Sequence, residues 1–256
     1  MDGARRAAER GGRVTMGHVL VTGGSRGIGA AIVRRLLAEG HHASFTFLQD
    51  GEAAARLIDE QPRALAIRAD VRDSGAVDDV FAHAEGRHGP VTHLVNNAGI
   101  TGPLGPFSTS TEKDLRDIFD VNLFGTASYC RAAISRWTRS RHAGVIVNVS
   151  STAATTGAPG EYVGYAASKA AVDALTLGLG REVGRAGIRV VGVAPGTTHT
   201  GIHAAAGDPD RPGRTAERAP LGRAAEPDEI ARVVAWALSD AASYVTAVTI
   251  PVSGGL

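Results

Sequence analysis

The sequence has 256 residues, with 27 Lys and Arg against 26 Asp and Glu, for a formal charge of +1. That balance gives no uniform field to recruit nucleic acid or an anionic membrane surface, so any anion site must be local. The single cysteine, Cys130, excludes an internal disulfide, and its apolar surroundings mark it as a packed helix residue. No apolar stretch has the form of a signal peptide or membrane span, which predicts a cytoplasmic protein.

Residues 1–15 are rich in Gly, Ala and Arg and precede a second methionine, Met16. They read as a disordered extension, with translation starting at Met16 and one domain over 16–256. Short β-branched runs then predict strands at Val19–Val21, Ala43–Leu48, Ala64–Ile67, His93–Val95, Val145–Val149, Arg189–Val193 and Val245–Ile250. Helical spacing predicts helices at Ala30–Glu39, Ala53–Glu60, Ala76–His88, Glu112–Arg136, Ala166–Arg185 and Glu226–Leu238. Strict βα alternation implies an α/β fold of three layers, a doubly wound Rossmann sheet of seven parallel strands. Only Thr197–Arg223, with Pro209, Pro212, Pro220 and several glycines, breaks the rhythm and reads as a mobile substrate-side loop.

The first strand runs into Thr22-Gly23-Gly24-Ser25-Arg26-Gly27-Ile28-Gly29 and then a helical pattern. Gly23 suits the tight turn, Gly27 the close approach of a pyrophosphate, and Gly29 close helix-to-strand packing, while the helix N-terminus attracts the anion. Further on, Tyr165 and Lys169 stand four apart and therefore share a helix face. A free tyrosine, with a pKa near ~10, is a poor base at neutral pH; the Lys169 ammonium is expected to lower that value. Tyr162 lacks such a partner, since Ala166 occupies the matching position. His199 and His203 are also four apart, but with no carboxylate or cysteine beside them no metal is expected.

The glycine turn, Asp70-Val71, Asn96-Asn97-Ala98-Gly99, Asn122, Tyr165-Ala166-Ala167-Ser168-Lys169 and Pro195-Gly196 occur in the order of the short-chain dehydrogenase/reductase family. The chain resembles that family from Gly17 to Gly255, and over Ser151–Lys169 a bacterial subgroup labelled glucose (sugar) dehydrogenase or 3-oxoacyl carrier-protein reductase. The resemblance implies a hydride-transferring enzyme for a small carbonyl/alcohol substrate, in which Tyr165 is the acid/base and Lys169 also holds the nicotinamide ribose. It gives Ser151 the substrate oxygen and Asn122 a proton relay. Its cofactor contacts fall on Gly23, Ser25, Arg26, Gly27, Ile28, Gly29, Asp70 and Val71 (adenine), Asn96, Ala98, Gly99, Tyr165, Lys169, Pro195, Gly196, Thr198 and Thr200, with stabilisation of the sheet as the alternative role of the Asn96-Asn97-Ala98-Gly99 turn.

Ser150 and Thr152 compete with Ser151: counting back from Tyr165 by the usual family spacing selects Thr152, whereas aligning the strand selects Ser151, which is preferred. Ala247 and Ser253 depart from the Gly and Asp more usual in the family's C-terminal segment. A homotetramer, or a homodimer, is expected by resemblance.

NADP(H) is favoured over NAD(H), because the second strand ends in Thr46-Phe47-Leu48-Gln49 with no acid for a ribose 2′-hydroxyl. Asp50 follows late and suits a helix cap, while Arg26 could meet a 2′-phosphate. The competing reading is a non-catalytic NADP(H)-binding, redox-responsive regulator on the same fold. The segments 100–110 and 197–223 are expected to set the substrate, with a partly apolar pocket.

Overall fold

The computed structural model describes residues 17–256; the expectations for the extension and for Met16 lie outside the described residues. Seven parallel strands form one sheet: β1 (His18–Thr22), β2 (His42–Phe47), β3 (Ala64–Arg68), β4 (His93–Asn96), β5 (Val145–Val149), β6 (Arg189–Pro195) and β7 (Val248–Val252). Their order is β3-β2-β1-β4-β5-β6-β7, so the winding reverses between β1 and β4. Alternation along each strand divides the side chains between two cores. Val19 and Val21 enter one cluster and Leu20 the other; Val145, Val147 and Val149 oppose Ile146 in the same way. Each fully buried Val, Leu or Ile contributes ~1.5–3 kcal/mol relative to exposure, so the sheet is held from both faces.

The first core lies under α1 (Gly27–Ala38), α2 (Gly51–Glu60) and, late in the chain, Pro227–Leu238. The second lies under α3 (Val77–His88) and residues from Tyr129 to Trp137. Cys130 is buried there, as its neighbours predicted, and burial pushes its thiol up to about 12. Among the described residues no helix is long and apolar enough to cross a membrane.

Three features depart from the sequence reading. The helix predicted over Glu112–Arg136 is interrupted: α4 (Glu112–Phe119) passes into a π-helical turn (Asp120–Gly125) before α5 (Thr126–Ser140). Within that widened turn the Asn122 carbonyl accepts the Thr126 hydroxyl at 2.8 Å, a local bond that side-chain periodicity does not reveal.

The last strand begins at Val248, not Val245. Thr246 Oγ1 accepts the Val190 N–H at 3.0 Å and the Ala247 N–H reaches the Val190 carbonyl at 2.8 Å, with Ala247 at φ 57°. This left-handed residue is the one where the family more usually has Gly, which bears such a φ without strain.

The stretch 197–223 is also more than a loop. It contains two short helices, α8 (Ile202–Ala205) and α9 (Arg211–Ala216), and buries Thr198, Asp208, Pro212 and Thr215. Short turns rich in Pro and Gly lack the length for a periodic signal. Two more helices frame the site from the other side: α6 (Ala153–Thr156) and the long α7 (Val163–Val183).

Candidate active site

A cleft of about 670 Å³ opens at the carboxyl ends of β1 and β4, where the winding reverses. Open α/β sheets bind ligands at such a place because the flanking loops diverge there. Its lining includes every residue named for cofactor binding or catalysis except Asn96 and Asn122, while of the segment 100–110 only Ile100 and Thr101 line it.

The glycine turn builds the floor. Gly23 has φ 65°, and a Cβ on Gly29 would stand 2.2 Å from the Gly23 carbonyl, so neither position admits a side chain without rearrangement. Arg26 occupies the N-cap of α1 with no side-chain acceptor for the first-turn N–H groups. Those donors, with the positive end of the helix dipole, fit a pyrophosphate. Thr200, beyond β6, closes over Gly27, its Cγ2 3.3 Å from where a Cβ would lie.

The Asn96 side chain favours the sheet-stabilising alternative. Only 3% exposed, it turns its amide inward, donating to Asn148 Oδ1 at 2.9 Å and to the Cys130 sulfur at 3.2 Å. Asn148 in turn donates to Thr176 Oγ1 at 2.9 Å, so a buried polar chain ties β4, β5 and α7 together behind the cleft. Asn97, which sequence reasoning passed over, braces the glycine turn and lines the cleft. Its amide donates to the carbonyls of Thr22 (3.1 Å) and Gly23 (2.9 Å), and Thr22 Oγ1 accepts the N–H groups of Asn97 and Ala98 at 3.0 and 3.1 Å. The doubled asparagine was the available signal: on a strand, neighbours face opposite sides, so one serves the core and the other the turn.

At the far end of the cleft Asp50 caps α2, accepting the Ala53 N–H at 2.9 Å, as its spacing predicted. Asp70 is clasped by the Arg72 guanidinium, which holds its carboxyl below the usual range. The Arg26 side chain has no hydrogen bond or ion pair among the described residues.

On the catalytic wall, the three competing hydroxyls have different surroundings. Ser150 is 2% exposed and donates back to the Lys169 carbonyl at 3.4 Å; Thr152 Oγ1 points to the Pro195 carbonyl at 3.4 Å. Ser151 faces the Tyr165 phenol, and its hydroxyl pulls the phenol's pKa down while burial, the larger effect, pushes it up. The expectation that Lys169 would lower this pKa is not met: burial outweighs it, and the lowering comes from Ser151 and, more weakly, Arg211.

Lys169 Nζ lies 5.8 Å from the Tyr165 ring centroid and donates to the Val149 carbonyl at 2.8 Å. Burial brings its pKa down to about 8, against the opposing pull of Asp173.

Asn122, fully buried, uses its whole amide. Oδ1 accepts the Ile100 N–H at 2.9 Å, and Nδ2 donates to the Ile100 carbonyl at 2.9 Å and to Ser168 Oγ at 3.0 Å. Ser168, not singled out from the sequence, donates onward to the Tyr165 carbonyl at 2.7 Å. The π-helical turn is thus tied to α7 at the level of Tyr165. On the other wall Thr198, 3% exposed, donates to the Gly196 carbonyl, and Pro195 and Gly196 complete the rim.

Residues 23–256 match the family model described as enoyl-(acyl carrier protein) reductase. An Escherichia coli K12 protein described as the uncharacterized oxidoreductase YgfF is 39% identical over 246 residues, 94% of this chain and 100% of its own. 3beta-hydroxysteroid dehydrogenase 1 of Eggerthella lenta is 39% identical across 93% of this chain and 92% of its own. The crystal structure of 3-ketoacyl-(acyl-carrier-protein) reductase from Brucella melitensis, complexed with NADH, superposes with a TM-score of 0.86 at 29% identity. It spans 93% of this chain and 97% of that one. This chain belongs to the short-chain dehydrogenase/reductase family. It is an oxidoreductase of that family, with the family's nicotinamide-binding fold.

Proposed function

We propose that the chain interconverts a ketone and a secondary alcohol with NADP(H), Tyr165 giving or taking the proton at the carbonyl oxygen. The observation that carries this reading is the meeting of Ser151, Tyr165 and Lys169 on one wall of the cleft floored by the glycine turn.

When bound, the nicotinamide supplies or accepts the hydride. Ser151 donates a hydrogen bond to the substrate oxygen and so stabilises the charge that develops there. Tyr165, kept protonated by burial, donates to the same oxygen and releases its proton as that charge grows. Lys169, with its ammonium 5.8 Å from the Tyr165 ring centroid, would hold the ribose hydroxyls of the bound cofactor. The committed amide of Asn122 supports a positioning role, fixing residue 100 and α7 around the reacting atoms.

Thr198 and Thr200, with Pro195 and Gly196, would hold the nicotinamide end, and Gly23 to Gly29 the pyrophosphate. Asp70 and Val71 would border the adenine. NADP(H) is favoured because Asp50 is spent on its cap while Arg26 remains available beside the turn. The protein acts in the cytoplasm as a homotetramer built on one domain, in line with the family resemblance.

The reading is tested by following NADPH and NADH consumption against simple ketones, sugars and 3-oxoacyl thioesters, in the parent and in Arg26→Ala. NADPH should be the better cofactor, and Arg26→Ala should weaken NADPH by about tenfold or more while sparing NADH, as expected for one charged phosphate contact. Equal loss for both cofactors would remove Arg26 from the 2′-phosphate; no turnover with either would remove the reading.

A further inference from the structure

Beyond Tyr165 the cleft ends in a group of polar side chains that the reaction does not use. Tyr162 is 6% exposed, and its hydroxyl has no hydrogen-bond partner among the described residues. Over its ring, 4.9 Å from the centroid, lies the Arg211 guanidinium from the start of α9. Arg211 is fixed by one ion pair, through Nη2 to Glu161, and its Nε and Nη1 are buried without partners. Both residues line the cleft, and the Tyr162 ring meets the Tyr165 ring edge-on at 6.2 Å between centroids.

Buried donors are satisfied in nearly every folded protein, so three buried, unpartnered donor atoms on two residues that line one cleft call for a ligand that completes them once a small side-chain shift exposes them. Arginine nitrogens and a phenol are the donor set for an oxygen anion. Glu161 pairs with Arg211 and Asp208 with Arg214, so the leftover donors rather than a net charge suit a single carboxylate. The apolar residues Ile100, Pro159 and Ile202 line the space alongside and suit a carbon chain.

We propose that the substrate is an oxo acid: its ketone sits at Tyr165 and its carboxylate is held by Arg211 and the Tyr162 hydroxyl. This rests on the carbonyl-reducing function proposed above and adds the class of substrate. The partly apolar pocket expected from the sequence is thereby given a charged end. Arg211 and Tyr162 determine specificity without taking part in proton transfer.

The test pairs oxo acids, from 4-oxopentanoate to 8-oxononanoate, with their primary amides, as substrates for the full chain with NADPH. For at least one length the acid should exceed its amide in kcat/KM by thirtyfold or more. Arg211→Gln should erase that preference mainly through KM, and Arg211→Lys should restore part of it. Glu161→Gln breaks the same ion pair but leaves the guanidinium, and should keep the preference. Equal kcat/KM for acid and amide at every length, or equal effects of Arg211→Gln and Glu161→Gln, would overturn the proposal and leave the pair a structural strap. Failure of the underlying reading looks different, since neither acids nor amides would then consume NADPH. Calorimetric binding of the same acids then decides the anion site: binding lost in Arg211→Gln supports it, and no acid binding in the parent overturns it.

Discussion

Ser150, Ser151 and Thr152 place three hydroxyls within one turn of chain, and only their surroundings separate them. Ser150 and Thr152 turn their hydroxyls to the Lys169 and Pro195 carbonyls at 3.4 Å, whereas Ser151 accepts the Ala153 N–H at 3.1 Å and keeps its own proton for the side of the phenol. Ser151→Ala should therefore lower kcat by ~10²-fold or more, the usual loss for a donor aimed at developing negative charge. Thr152→Ala should stay within a few-fold of the parent. Steady-state kinetics on any ketone that turns over checks both, and the reverse ranking would move the role to Thr152. Sequence could not decide this, because counting from Tyr165 and aligning β5 favour different residues. It did place Tyr165 and Lys169 together, since a spacing of four fixes a shared helix face, and both line the cleft. It missed Asn97 and Ser168, whose work lies in hydrogen bonds that no spacing displays, and it left Asn96 open between cleft and sheet, where the strand turns the side chain into the core.

At the scale of elements, the starts of β1 and β2 and the end of α3 bring three histidines together at the amino ends of the strands, away from the cleft. His18 meets the His88 ring edge-on at 5.2 Å, and His88 stacks on His42 at 4.9 Å. His18 bonds Ser44 Oγ and the Gly89 carbonyl, both at 2.8 Å, and burial holds its pKa at about 4, far below the ordinary 6.5. His93, at the start of β4 and facing His41, is likewise held at about 4.

Between pH 6.5 and 4 the unfolded chain binds protons that the folded chain refuses. The stability present above 6.5 is therefore lost progressively as the pH falls toward 4. For His18 alone the loss is on the order of 3 kcal/mol across that window. Urea unfolding at several pH values should show this slope, and His18→Asn should flatten it; an unchanged slope in the variant would assign the acid sensitivity elsewhere. Nothing in the spacing of these histidines announces the cluster, which exists only because parallel strands in register align their first residues. Elements with long periodic runs were readable, whereas the π-helical turn, α8 and α9 were not, being shorter than the period that would reveal them.

For the whole molecule, alternation of strands and helices was enough to define a doubly wound sheet, because crossover length and handedness leave few topologies. The separation of duties follows from that winding: the cleft gathers at the carboxyl ends of the strands, and the acid-sensitive histidines at their amino ends. Phe124 on the π-helical turn and Leu177 on α7 are exposed at 59% and 40%, and Trp236, Tyr244 and Val248 are exposed around the edge strand β7. These two apolar faces are where the proposed tetramer would pair. The account as a whole rests on Tyr165 as the proton carrier of a hydride transfer. The most direct measurement is kcat for ketone reduction in the parent and in Tyr165→Phe, with NADPH affinity measured on both. The account predicts a loss of ~10²–10⁴-fold in kcat with cofactor affinity retained. A Tyr165→Phe enzyme that turns over within a few-fold of the parent would contradict it.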